Sequence, residues 1–173
     1  MKRFIIITLL MLLLLILAVF LMPAADGNAK EVPDDFGERI ENMIREHKIM
    51  TDRLIKYMEH QKEEINLLAE VIYHENWHTD KDHLAAYYTG AVVMNRVNSS
   101  AWPNTVKEVL YQKGQYSTTK LFFKKEIPKE CYDMARDIYK NGTPDVPEDV
   151  IFQAMRPLGK TWKKVNTDYF CYG

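Results

Sequence analysis

Residues 71–83, with the sequence VIYHENWHTDKDH, place a glutamate between two histidines: His74, Glu75 and His78. The order His-Glu-x-x-His fits the zinc peptidase motif. In that motif two histidines on one helix face bind the metal, and the glutamate acts as the base. Taken alone, Glu75 is a carboxyl group of the kind that serves as a general acid. The segment therefore raises two different chemistries.

The surrounding sequence disfavours the zinc interpretation. A zinc site needs a third protein ligand and a helix that runs firmly through both histidines. Thr79 and Asp80 are helix start signals directly after His78, so the first helix of the domain is predicted to end at residues 76–78. His83 stands at the wrong distance to complete an extended metal motif. We predict no metal and no cofactor, and keep a zinc metallopeptidase as an alternative.

The N-terminus is typical of a membrane segment. Lys2 and Arg3 precede an apolar run at residues 4–22. A helix of that length would be roughly 28 Å long, close to the hydrocarbon thickness of a bilayer. We predict an anchor at residues 1–23 that crosses the cell membrane once, with the rest of the chain on the extracytoplasmic side. Small residues after Pro23 leave a cleaved signal and secretion as the alternative.

The charge of the exported part is nearly balanced. Lys2 and Arg3 are two of the 23 basic residues, so the remainder has 24 acidic and 21 basic residues. This balance does not indicate a nucleic-acid partner. Cys131 and Cys171 would lie where a disulfide persists, and the sequence leaves a bridge and two buried thiols equally open. Nothing in it indicates an oligomeric state.

The periodicity divides the chain into three parts. Residues 24–63 are predicted to form a linker and a helical stalk, because apolar side chains recur there at helical spacing. Residues 64–173 follow, and they are predicted to form the catalytic domain. In it, residues 81–97 predict a central buried helix, because their stretch AAYYTGAVVMNRV is almost wholly apolar. Gly90 in this helix allows close packing.

Turn residues mark the elements that follow. Asn104 is predicted to cap a short helix that runs to Gln112. Pro128 is predicted to open another helix, which Gly142 ends. Two runs of β-branched and aromatic residues near the C-terminus, VIFQAM and DYFCY, predict a small β-hairpin around a basic loop that contains glycine.

From Leu67 onward the sequence resembles the cell-wall hydrolases of the spore cortex-lytic (SleB-type) family. The segments that show the resemblance are, in order, LLAEVIYHEN, GAVVMNRV, WPNTVKEVLYQKGQYS, PKECYDMARDIYKNG, VIFQAM and DYFCY. The chain departs from the family at NWHTDKDHLAAYYT, which is longer than the acidic, glycine-containing turn usual there. The resemblance implies a mainly α, α+β, lysozyme-like domain with a small C-terminal β-hairpin, whose substrate is the glycan of peptidoglycan.

The resemblance also implies roles for three residues. Glu75 would be the catalytic acid, and Gln115 and Tyr116 of GQYS would lie beside the cleft. The local sequence agrees for Glu75. A carboxyl at a helix C-terminus faces the negative end of the helix dipole, and Tyr73 and Trp77 can exclude water, so both effects would raise its pKa.

The partner of Glu75 is open at this stage. Direct hydrolysis of a glycosidic bond usually needs two carboxyls, roughly 5 to 9.5 Å apart. Asp80, Asp82 and Glu126 are the candidates for the second. A lone acid suffices if the hydroxyl of the substrate itself attacks, as in lytic transglycosylases. We favour that route and keep a muramidase-like hydrolysis as the alternative.

Further candidates complete the predicted site. Tyr73, Asn95 and Tyr169 are additional substrate-binding candidates, although an amide on a buried helix, such as Asn95, more often serves the core. A non-catalytic wall-binding module is the remaining alternative. The predicted partners are therefore peptidoglycan glycan strands and, through the N-terminal helix, the membrane.

Overall fold

The computed structural model describes residues 35–79 and 81–173. The chain divides into two compact units, Met1–Met50 and Thr51–Gly173. The predicted membrane segment lies outside the described residues, as does most of the predicted linker. Within the described ranges, no helix is both long and apolar enough to cross a membrane.

The first helix, α1, is Phe36–Asn76. The predicted stalk helix and the predicted first helix of the domain are one continuous element. Neither proline nor glycine interrupts residues 38–76, so nothing in the backbone breaks it. Its side chains are mostly exposed until residue 63 and mostly buried from Leu67 onward. Its end at Asn76 confirms the predicted boundary.

The second helix, α2, is Leu84–Asn98, and it is largely buried as predicted. It begins three residues later than the sequence indicated, after His83 in a left-handed conformation. Gly90 confirms the expected close packing. A Cβ atom there would lie 2.7 Å from Ile138 Cδ1 and 3.0 Å from Ile72 Cδ1.

Two shorter helices follow. The helix α3 is Val106–Tyr111, and Thr105 caps it, not Asn104 as the sequence suggested. The reason is that the Thr105 side chain accepts a hydrogen bond from the backbone N–H of Glu108. A 3-10 helix at Ser117–Leu121 precedes α4, Lys129–Asn141. Pro128 and Gly142 flank α4 as predicted.

The C-terminal region forms a three-stranded antiparallel sheet of order β1-β3-β2, so the predicted two-stranded hairpin was incomplete. The strands are β1 (Val150–Ala154), β2 (Thr161–Val165) and β3 (Asp168–Tyr172). The missed strand, β2, lies in the predicted basic loop. Its side chains are mostly exposed, so it lacked the apolar pattern that identifies a strand.

Two clusters of buried side chains meet at α2. One joins α2 to α1, α3 and α4, and the other joins it to the sheet through Tyr88, Val92 and Phe170. Cys131 and Cys171 are both buried and free. The architecture is mainly helical with a small sheet, in agreement with the predicted α+β class.

Candidate active site

A pocket of about 150 Å³ lies where α1, α2 and the sheet come close together. It brings together three of the predicted site residues, Glu75, Gln115 and Tyr116. The complete lining consists of Glu75, Arg96, Gln115, Tyr116, Gln153, Ala154, Met155 and Asp168. These residues come from five separate segments of the chain, so only the folded protein forms the pocket.

Glu75 is the penultimate residue of α1 and is half-buried. Its Oε1 accepts a hydrogen bond from Thr118 Oγ1 at 2.5 Å. No described residue donates to Oε2. Burial is the main cause that raises the pKa of Glu75 above its ordinary value, and the negative charge of Asp168 adds to it, whereas the Thr118 hydrogen bond opposes them. The carboxyl is thus biased towards its protonated form.

Asp168 is the acidic neighbour of Glu75, and the sequence did not identify it. It is the first residue of β3, far from Glu75 along the chain. In the sequence it stands out only as the sole acidic residue of residues 156–173, which contain four basic residues. Two residues so distant in sequence meet only through the tertiary fold.

Asn76, the residue after Glu75, bonds to the Asp168 carboxylate. Its amide is assigned with the nitrogen towards the carboxylate, because Nδ2 then donates to Asp168 Oδ2 at 3.2 Å. In the same orientation Oδ1 accepts from Gln153 Nε2 at 2.7 Å. The residue next to the candidate acid therefore holds Asp168 and Gln153 in place.

The three acidic partners proposed from the sequence are not in this pocket. Asp82 and Glu126 are exposed and do not line it. Asp80 lies outside the described residues. Among the described residues, the second carboxyl that lines the pocket with Glu75 is that of Asp168.

Tyr116 and Gln115 form one wall of the pocket. Tyr116 is only 8% exposed, and its hydroxyl has no hydrogen-bond partner among the described residues. Burial raises the pKa of Tyr116, the charge of Arg96 lowers it and that of Glu75 raises it. Gln115 is exposed at the rim, after Gly114 in a left-handed turn.

The structure does not place the other three substrate-binding candidates in the pocket. Tyr73 is buried in the helical core. Asn95 is also buried, and its Nδ2 donates to the carbonyls of Pro147 at 2.9 Å and Val150 at 3.0 Å, which is a structural role. Tyr169 lies on β3 with Lys164 Nζ 4.8 Å from its ring centre.

The two histidines of the zinc motif have different surroundings. His74 Nε2 lies 3.3 Å from Glu70 Oε2, and burial lowers the pKa of this histidine. His78 is exposed beyond the end of α1, and its ring packs against Tyr73. Because α1 ends at Asn76, His78 lies beyond the helix, although both histidine rings pack against Tyr73. The described residues contain no group of three histidine, cysteine, aspartate or glutamate side chains placed to hold a metal ion.

Arg96 is a further pocket residue that the sequence did not single out. It belongs to the MNRV segment of α2 and is buried. Its guanidinium carbon lies 4.3 Å from the centre of the Trp102 ring and 5.5 Å from that of Tyr116. The two aromatic rings and the backbone therefore hold a positive charge at the pocket wall.

Comparison with known protein families matches residues 80–170 to the family described as Cell Wall Hydrolase. The matched range includes Arg96, Gln115, Tyr116 and Asp168, and it begins after Glu75. No curated protein and no solved structure matches the chain. The match covers more than half of the 173 residues.

Proposed function

Because this chain belongs to the cell wall hydrolase family, we propose that it cleaves the glycan strands of peptidoglycan with Glu75 as the catalytic acid. The single observation that carries the proposal is that a half-buried carboxyl with a raised pKa lines a pocket together with residues of the family region. The motif resemblance to the SleB-type enzymes supports the same substrate. A protonated carboxyl at neutral pH is what glycosidic cleavage requires.

In the first step, Glu75 donates its proton to the glycosidic oxygen. Thr118 occupies Oε1, so the proton is assigned to Oε2, which accepts no hydrogen bond from the described residues. The bond between the sugar C1 and this oxygen breaks, and C1 acquires oxocarbenium character. The Glu75 carboxylate that remains is then the base for the second step.

In the second step, we propose that the C6 hydroxyl of the muramic residue attacks C1. Its proton returns to Glu75, so one residue serves as acid and base in turn, and no water is consumed. The product is a 1,6-anhydro end, which is about 18 Da lighter than a reducing end. In this lytic transglycosylase route, Asp168 acts on Glu75 through its charge, by favouring the protonated form.

A muramidase-like hydrolysis is the second candidate, and one observation favours it. Asp168 lines the pocket with Glu75, and a second carboxylate is the group that direct hydrolysis needs. In that route Asp168 touches the reacting atoms as nucleophile or as the base for a water molecule. The two routes differ in their products and in what the loss of Asp168 does.

The polar wall of the pocket is proposed to bind the sugar. Gln115 offers an exposed amide at the rim, and Tyr116 offers a buried hydroxyl without a partner. Gln153 Oε1 is likewise buried and unpaired among the described residues. Hydroxyl and acetamido groups of a glycan can satisfy these atoms, which are costly to leave unpaired.

The location of the enzyme is also a proposal. The apolar residues 4–22 after Lys2 and Arg3 support a domain held at the outer side of the cell membrane. Such a location would give the pocket access to the wall. A signal that is cleaved after export is the alternative, and N-terminal sequencing of the mature protein separates the two.

Digestion of purified peptidoglycan tests the proposed activity. The wild-type protein should release muropeptides with 1,6-anhydro ends, identified by mass spectrometry. Glu75→Gln should release almost none, whereas Glu130→Gln, the same change at an exposed position on α4, should behave as the wild type. Reducing ends alone would replace the transglycosylase route by hydrolysis. Release of free peptides with intact glycan would refute glycan cleavage altogether.

A further inference from the structure

Arg96 is a buried cation in the candidate pocket, and it forms no ion pair with an acidic side chain among the described residues. It is only 4% exposed, and it lines the same pocket as Glu75 and Asp168. It takes part in none of the ion pairs between described residues. A buried charge without a partner is costly, and such a cost is characteristic of sites where a ligand supplies the opposite charge.

The guanidinium of Arg96 is held in a fixed orientation. Its Nε donates to the backbone carbonyl of Ile151 at 2.7 Å. The rings of Trp102 and Tyr116 both lie close to it. The two terminal nitrogens donate to none of the described residues. A rigid fork of free N–H donors is the geometry that binds a carboxylate through two parallel hydrogen bonds.

This cation lines the same pocket as Glu75, and the two side chains form none of the ion pairs between described residues. Tyr116 is the side chain whose pKa responds to both Arg96 and Glu75, in opposite directions. It therefore lies within electrostatic range of both groups. Because Arg96 and Glu75 line the same pocket, an anion bound at Arg96 would lie near the bond that Glu75 cleaves.

We propose that Arg96 binds a carboxylate of the substrate beside the bond that Glu75 cleaves. This inference rests on the proposed function and gives it a substrate class, glycan with a carboxylate at the muramic residue. Muramic acid carries a lactyl carboxyl group, which is free where the stem peptide has been removed. Where the peptide is attached, the peptide supplies carboxylates of its own. A glycan of N-acetylglucosamine alone has neither.

Binding of small muramic compounds to the wild-type protein tests the proposal. N-acetylmuramic acid, its methyl ester and muramyl dipeptide are titrated by NMR. The free acid should bind about tenfold more tightly than the ester, which is the effect of one charge-assisted hydrogen bond or more. If muramyl dipeptide binds more tightly than both the ester and the free acid, the carboxylate is that of the peptide. Otherwise it is the lactyl group.

Arg96→Gln should remove the difference between acid and ester. Arg136→Gln, the same change at a less buried arginine on α4, should keep it. Equal affinity of acid, ester and dipeptide for the wild-type protein would overturn the proposal, and this result does not depend on whether Arg96→Gln folds. If the protein cleaves glycan but binds acid, ester and dipeptide equally, only the Arg96 site is rejected. If it binds the acid more tightly than the ester but does not cleave glycan, only the proposed function is rejected.

Discussion

Two glutamates of α1, Glu64 and Glu75, meet opposite surroundings. Glu64 is 3% exposed, and its two oxygens accept the backbone N–H groups of Val106 at 2.6 Å and Lys107 at 3.2 Å. Both oxygens are therefore paired, at the positive end of the dipole of α3. Among the described residues, Glu75 has one hydrogen bond, one oxygen that accepts none and a second carboxylate nearby.

The contrast indicates what each carboxyl is for. A fully paired carboxylate stabilises the junction between α1 and α3. An underpaired carboxyl near a like charge costs stability, and such costs are tolerated where function needs the reactive group. Arg96, buried without an acidic partner, extends the same pattern around the pocket. The pairing of buried polar atoms thus separates the structural region from the candidate site.

The largest expected difference between Glu75 and Glu64 is in activity. Glu75→Gln keeps the shape of the side chain but removes the exchangeable proton, so muralytic activity should fall roughly 10²- to 10⁴-fold. Glu64→Gln should keep most of its activity per folded molecule, because Glu64 lies at the junction with α3 and not in the pocket. Turbidity loss of a peptidoglycan suspension measures both. Equal losses would mean that Glu75 has no special role.

The next largest effect should appear in stability at the structural position. Glu64→Gln replaces a charged acceptor of two backbone donors, and the free energy of unfolding should fall by about 1.5–3 kcal/mol. Glu63→Gln is the matched control, because Glu63 is exposed and its ion pair among the described residues is with the exposed Lys107. Its effect should be much smaller. Chemical denaturation measures both variants, and similar values for them would contradict the structural role of Glu64.

The same change to glutamine at Glu75, in the pocket, should raise the free energy of unfolding at neutral pH. The pKa of Glu75 is raised in the folded protein, so its contribution to stability is full below the ordinary glutamate pKa and is lost as pH rises through the folded value. Glutamine does not ionise. At neutral pH, Glu75→Gln should therefore be about 0.5–2 kcal/mol more stable than the wild type. The gain should vanish in acid. Thermal unfolding across pH checks this, and a less stable variant at neutral pH would contradict it.

The smallest expected effect concerns the coupling of the two pocket carboxyls. Asp168→Asn removes the negative charge that helps to raise the pKa of Glu75. The acid would then lose its proton at lower pH, so the high-pH limb of kcat/KM should move to lower pH while activity in acid persists. Collapse of activity at every pH would instead assign Asp168 to the chemistry and favour hydrolysis.

Several elements could be predicted from local sequence. The end of α1 followed from Thr79 and Asp80, and the burial of α2 from its apolar residues. The position of α4 followed from Pro128 and Gly142, and all these signals act within a few residues. The strand β2 was missed because its side chains are mostly exposed, and the start of α2 was misplaced because His83 adopts a left-handed conformation. Local patterns fail where pairing with a distant strand decides the structure.

The site shows the same division. Glu75, Gln115 and Tyr116 could be named from motifs because each lies in a recognisable short segment. Asp168 and Arg96 could not, since one aspartate at the start of a strand and one arginine on a helix look ordinary in sequence. Tyr73, Asn95 and Tyr169 were further candidates from the sequence, and none of them lines the pocket.

The sequence by itself determined the helical framework, the close packing at Gly90 and the candidate acid. These depend on periodicity, turn residues and a short motif, all of which are local. Only the tertiary structure decided which charges meet. Burial and charge proximity set the pKa of Glu75, and the fold leaves Arg96 without an acidic partner among the described residues. Both depend on distances between segments that are far apart in the chain.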